Sequence, residues 1–115
     1  MNSVVKCVTL FLLLSNVYFT TATTVNRVAV IGSDVVFPCE SSFAPPWAKV
    51  GPKPGQYKNL MVNGKKHPNL KDPRITFSNQ GDVYQLDIRD LAAKDAGTYV
   101  CDGDNPVSYL LNVVR

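Results

Sequence analysis

The sequence predicts an all-β sandwich, and three observations carry the prediction. From position 25 to the end, short strand-like runs alternate with turn residues. No segment of that region repeats its apolar residues at helical spacing. The stretch KDAGTYVCDG (94–103) sets Asp95, Gly97, Tyr99 and Cys101 on every second position, which places all four on one side of a strand. An Asp, a Tyr and a Cys on one buried side each need a specific partner elsewhere in the chain.

The first 22 residues stand apart. Lys6 gives a positive start, Cys7 to Leu14 is apolar, and Thr20-Thr21-Ala22 ends in small residues. That order reads as a secretory signal peptide, with cleavage expected after Ala22. A transmembrane anchor is disfavoured because the apolar run is short and polar Ser15, Asn16 and Thr20 follow it. No second apolar run and no lipid-anchor signal follow, so the expectation is one secreted, extracellular domain over 23–115, with no membrane span. A domain this small buries too little surface to be secure without help. Cys7 leaves with the signal, and Cys39 and Cys101 remain as the expected disulfide of an oxidising compartment. The alternative, a metal site, is disfavoured by a single histidine, His67, and the lack of a Cys-x-x-Cys pair.

The chain of 115 residues carries a formal charge of +3, too weak a balance to imply nucleic acid. Its distribution is uneven. Segment 49–74 holds Lys49, Lys53, Lys58, Lys65, Lys66, Lys71 and Arg74 against Asp72 alone, whereas 82–104 is mainly acidic. An ordinary solvated surface is the plainer reading of both.

The elements follow in order. VNRVAVIG (25–32) reads as an edge strand. DVVFPC (34–39) alternates Val35, Phe37 and Cys39 on one side. PWAKV (46–50) follows a short loop rich in Ser and Pro. GPKPG (51–55) is a turn, with proline fixing φ and glycine supplying positive φ. YKNLMV (57–62) is a strand ended by Asn63-Gly64, a tight-turn signal. RITF (74–77) and VYQLDIR (83–89) flank the turn SNQGD. LAAKDAG (91–97) is a bend with room for one helical turn. TYVCD (98–102) and VSYLLNVV (107–114) form a hairpin around GDNP. The count is about nine strands, with no internal repeat and no linker.

This pattern resembles the immunoglobulin superfamily over nearly all of 23–115, as a single variable- or intermediate-type domain. The most specific motif is Asp-x-Gly-x-Tyr-x-Cys at 95–101. The resemblance implies an immunoglobulin-like β-sandwich with one inter-sheet disulfide, Cys39 to Cys101. It further implies that Trp47 packs on the bridge, that the Tyr99 hydroxyl bonds back to the turn before it, that Asp95 pairs with Arg74, and that Gly97 allows the bend. WAKVGPKPGQYKNLMV (47–62) is similar to strand C, its turn and strand C′ of variable-type domains. DPRITF, YQLDIRDL, DAGTYVC and YLLNVV are also similar to the first domain of lachesin-like adhesion proteins of invertebrates. There are departures: the interval from Cys39 to Trp47 is short, Pro45-Pro46 precede the Trp, and the last strand lacks a Gly-x-Gly bulge. A rearranging antigen receptor is therefore not expected.

No catalytic constellation can be assembled, and neither enzyme activity nor a cofactor is expected. DGDNP (102–106) sets two carboxylates at alternate positions but lacks the rest of a calcium loop, and a hairpin turn is the better reading. The lysines of 49–71 could meet sulfated glycans, but they are scattered among Pro and Gly along the sequence. The expected function is a secreted recognition module for an extracellular or cell-surface protein, including another immunoglobulin domain or a second copy, in adhesion, synaptic or receptor signalling. The alternatives are a soluble immune protein that binds foreign ligands and a fragment of a longer adhesion protein.

Strand parity points to the binding face. With Trp47, Tyr99, Cys101, Leu111, Leu60 and Val62 inward, Ala48, Val50, Tyr57, Met61, Val100 and Leu110 line an apolar outer face. Lys49, Lys53 and Lys58 are expected on one rim, and Asp102 and Asp104 on the other. The opposite sheet turns Thr76, Ser78, Gln85, Asp87 and Arg89 outward and is polar. A slip of one residue in any strand would flip its side chains to the other face.

Overall fold

Alternation of apolar and polar residues builds two sheets that share one core. The computed structural model describes residues 23–115; the expected signal segment, 1–22, lies outside the described residues. The strands are β1 (Thr23–Val30), β2 (Val35–Glu40), β3 (Trp47–Val50), β4 (Tyr57–Val62), β5 (Lys65–Lys66), β6 (Ile75–Gln80), β7 (Val83–Ile88), β8 (Gly97–Cys101) and β9 (Val107–Val114). A single 3-10 turn, Ala93–Asp95, precedes β8. The larger sheet runs β1-β9-β8-β3-β4-β5 and the smaller runs β2-β7-β6. The protein is an immunoglobulin-like β-sandwich. The β4 and β5 strands extend the larger sheet beyond β3.

Three features differ from the sequence expectation. β5 is two lysines long and carries no strand pattern of its own. β6 runs to Gln80, paired with Val83, so the turn expected over SNQGD narrows to Gly81-Asp82. β1 pairs parallel with β9 along its whole length, a contact between distant parts of the chain that no local pattern reveals.

The core lies between the sheets. Val35, Phe37 and Cys39 of β2 face Trp47, Tyr99, Cys101, Tyr109 and Leu111 of the larger sheet, with Leu86 and Ile88 filling the space beside them. Phe37 stacks on Tyr109 with centroids 4.5 Å apart and meets Tyr99 at 5.6 Å. Complete burial of each such side chain contributes about 1.5–3 kcal/mol. Cys39 and Cys101 form the disulfide that joins the sheets. Trp47 sits directly opposite Cys101 in the β3–β8 ladder and is fully buried. The Tyr109 hydroxyl donates to the Pro38 carbonyl of the facing sheet.

The end of the sandwich remote from the disulfide is closed by charge. The Arg74 guanidinium donates to both oxygens of Asp95, at 2.8 and 3.0 Å, and to Asp72 at 2.7 and 3.2 Å. It also donates to the backbone carbonyl of Asp90 at 2.8 Å. Asp95 accepts the Ala92 N–H, and the Tyr99 hydroxyl donates to the Asp95 carbonyl. Gly97 has φ of +142°, and a Cβ there would lie 3.0 Å from Lys49 Cε. Both the backbone conformation and the passing lysine stem explain a glycine at this position.

Candidate interaction face

The outer surface of the larger sheet is assembled by register. Leu110 of β9 lies between Asn26 of β1 and Thr98 of β8. Val100 lies between Ser108 and Ala48, and Ala48 pairs with Asn59. Val50 pairs with Tyr57 at the start of β4. Because side chains across a ladder share a face, these residues point away from the core together. Tyr57 is 59% exposed, Leu110 42% and Val50 37%, whereas Ala48 and Val100 are half-buried between them.

Met61 does not belong to this face. It is only 3% exposed and lies in the core beside Leu60, while Val62, expected inside, is 39% exposed. The cause is a β-bulge. Trp47 pairs with Met61 but Ala48 pairs with Asn59, so Leu60 is an extra residue opposite β3. A bulge sets two residues against one and shifts the alternation by one position. Leu60-Met61-Val62 are all apolar, so the sequence pattern could not locate the shift.

The expected basic rim is corrected as well. Lys49 alternates with Ala48 and points inward, where its ammonium lies 5.3 Å from the Tyr99 ring centroid and donates to the Lys94 carbonyl at 2.9 Å. Lys58, paired with Lys49, lines the same cleft at the charged end with Asp72 and Asp95. Burial lowers the Lys49 pKa, and the nearby Asp95 charge partly offsets this. On the other rim, Asp104 accepts the Ser42 N–H at 2.8 Å, which ties the loop after β8 to the loop after β2. That hydrogen bond holds the Asp104 carboxyl below the usual range.

β1 adds residues that the sequence did not assign to the face. Val28 is 68% exposed and lies beside Asn112; Val30 pairs with Val114. A depression of about 410 Å³ opens here among Asn26, Val28, Gly97, Thr98, Leu110 and Asn112. The signal was the alternation in VNRVAV, in which Arg27 takes the inward side. Its guanidinium lies 5.8 Å from the Phe37 ring centroid and 5.9 Å from that of Tyr109. An inward arginine hides this parity from a reading based on polarity alone.

The smaller sheet offers a more polar surface, although Val36 and Pro38 of β2 are exposed on it. Thr76, Ser78 and Gln85 point outward, and Gln85 donates to Ser78 Oγ at 3.4 Å. Among the described residues no group of His, Cys, Asp and Glu is gathered as a metal site, and no helix is long and apolar enough to cross a membrane. No protein-family model matches the chain, and no curated protein matches it.

Proposed function

We propose that this protein is a secreted, non-catalytic recognition domain of the immunoglobulin superfamily that binds an extracellular or cell-surface protein through the outer face of its larger sheet. The observation that carries the reading is the apolar row of Val28, Leu110, Val50 and Tyr57 on a surface flanked by polar groups. Both faces of a lone sandwich meet water; the larger sheet sets several exposed apolar side chains on its outer face against Val36 and Pro38 on the smaller one, and that imbalance supports an interaction surface. Tyr57 and Leu110 suit the anchor role: an amphipathic aromatic ring and an aliphatic side chain on rigid strands.

The test is a cell-surface binding screen with the secreted domain, followed by variants. Leu110→Asp and Tyr57→Glu should each weaken binding about ten-fold or more, the range expected for loss of an interface anchor. Ser78→Arg on the opposite sheet should leave binding intact. If Ser78→Arg abolishes binding and Leu110→Asp does not, the face is misassigned.

A further inference from the structure

The basic half of the chain divides in space: Lys49 and Lys58 line the charged cleft with Asp72 and Asp95, whereas Lys65 and Lys66 lie together at the β5 edge. No acidic residue lies between Glu40 and Asp72, a span that holds Lys49, Lys53, Lys58, Lys65, Lys66 and Lys71. Among the described residues the ion pairs are those of Arg74 with Asp72 and Asp95, so none of these lysines is in an ion pair, although Asp95 acts on Lys49 at longer range. Two are held by backbone: Lys49 by the Lys94 carbonyl and Lys66 by the Asp72 carbonyl at 2.7 Å.

The β4–β5 edge turns this charge into a shaped site. Asn63 and Gly64 both have positive φ, 54° and 78°, which forms a tight turn and lays β5 back on β4. Val62 then pairs with Lys65, and Met61 with Lys66. The chain continues pinned to β4, with the His67 N–H on the Leu60 carbonyl at 2.9 Å. The result is an open depression of about 770 Å³ lined by Asn59, Val62, Asn63, Lys65, Lys66 and His67. His67 Nδ1 accepts the Asn69 N–H at 3.1 Å, which places the proton of a neutral ring on Nε2 and leaves that nitrogen a donor.

We infer that this edge is a binding site for a sulfated polysaccharide. The Lys65 ammonium and the His67 ring donate to sulfate oxygens, the Asn59 and Asn63 amides match ring hydroxyls, and Val62 offers an apolar patch to the face of a sugar ring. Lys65 and Lys66 side by side, with no carboxylate lining the depression, give a sulfated chain a favourable field there. No Phe, Tyr or Trp ring lines the depression, so the broad stacking platform that single-stranded nucleic acids use is lacking there. The site lies at the β5 edge of the larger sheet, sharing Asn59 with the outer face but away from Leu110 and Val28.

Binding of a size-defined heparin oligosaccharide to the full secreted domain tests this, read by surface plasmon resonance at physiological salt. Lys65→Glu, alone and with Asn59→Asp, should weaken binding at least ten-fold; both positions are exposed, and unchanged melting curves will confirm the fold. Arg115→Glu with Gln80→Glu makes the same change in net charge elsewhere and should cost less than two-fold. Leu110→Asp should leave heparin binding unchanged. Fully desulfated heparin should bind at least ten-fold more weakly. The proposal is overturned if the Arg115 and Gln80 pair costs as much as the Lys65 and Asn59 pair, or if desulfation has no effect. It is equally overturned if phosphatidylserine vesicles bind while heparin does not compete.

Discussion

Arg74 shows how one residue can hold one end of a sandwich. Its half-buried guanidinium serves two carboxylates and the backbone carbonyls of Arg89 and Asp90 at once, and Asp95 is buried. Burial alone would raise the Asp95 pKa, but hydrogen bonds from Arg74 and the Ala92 N–H more than offset that and hold it below the usual range. Asp72 is held low chiefly by its hydrogen bond from Arg74. A carboxyl with a folded pKa below its unfolded value adds stability that is present above the unfolded pKa and is lost as pH falls through the folded one. Arg74→Met should therefore lower unfolding free energy by a few kcal/mol at neutral pH. The gap to the parent protein should narrow below about pH 4, near the ordinary pKa of an aspartate. Urea titrations at pH 7 and pH 3 will check this; an equal gap at both would show that the ion pairs contribute nothing. Alternation of Asp95, Gly97, Tyr99 and Cys101 showed only that Asp95 needed a partner; Arg74 as that partner was legible through the resemblance to the immunoglobulin superfamily. Met61 was misplaced because three consecutive apolar residues contain no alternation to read.

At the scale of elements, β1 shows what periodicity cannot supply. Its strand character is visible in VNRVAV, but its partner is β9, reached only through the tertiary fold. The hydrogen-bond phase is fixed at both ends: the Thr23 N–H donates to the Pro106 carbonyl and the Ile31 N–H to the Val114 carbonyl. Since backbone groups alternate sides along a strand, the N–H groups of Val25, Arg27 and Ala29 also face β9, and those of Asn26, Val28 and Val30 face the open edge. A proline removes one donor, so the cost depends on which side that donor serves. Ala29→Pro should lower the melting temperature clearly, by several degrees, while Val28→Pro should cost markedly less. Equal losses would place β1 in a different phase. The edge of β2 carries its own proline, Pro38, within the ladder to β7, which discourages further strand pairing there. The bulge in β4 belongs to the same class of feature. It depends on how β3 and β4 meet, and only its consequence, the burial of Met61, appears as a residue property.

For the whole molecule, two clamps at opposite ends hold the sheets together. The disulfide lies at the far end of β8 from Asp95, about 20 Å away at the usual rise per residue of a strand. One clamp restricts the unfolded chain by closing a loop across a sequence separation of 62 residues. Such a closure contributes about 4 kcal/mol in the chain-entropy account. The other clamp acts in the folded state by satisfying buried charge. They share no partner and act by different physics, so their losses should be independent. Cys39→Ala with Cys101→Ala, and Arg74→Met, should each shift the urea midpoint to lower concentration. Their combination should sum the two free-energy losses to within about 0.5 kcal/mol. A combined loss well below the sum would mean that the charged end opens before the rest of the sandwich, so that reduction of the bridge acts on an already loosened structure. A domain of this size has a total margin of only about 5–15 kcal/mol. The combined variant therefore needs measurement in the presence of a stabilising osmolyte, with the parent and both separate variants in the same buffer. Coincident transitions by fluorescence of Trp47, buried at the bridge, and by far-ultraviolet circular dichroism will establish that a single unfolding step is being compared.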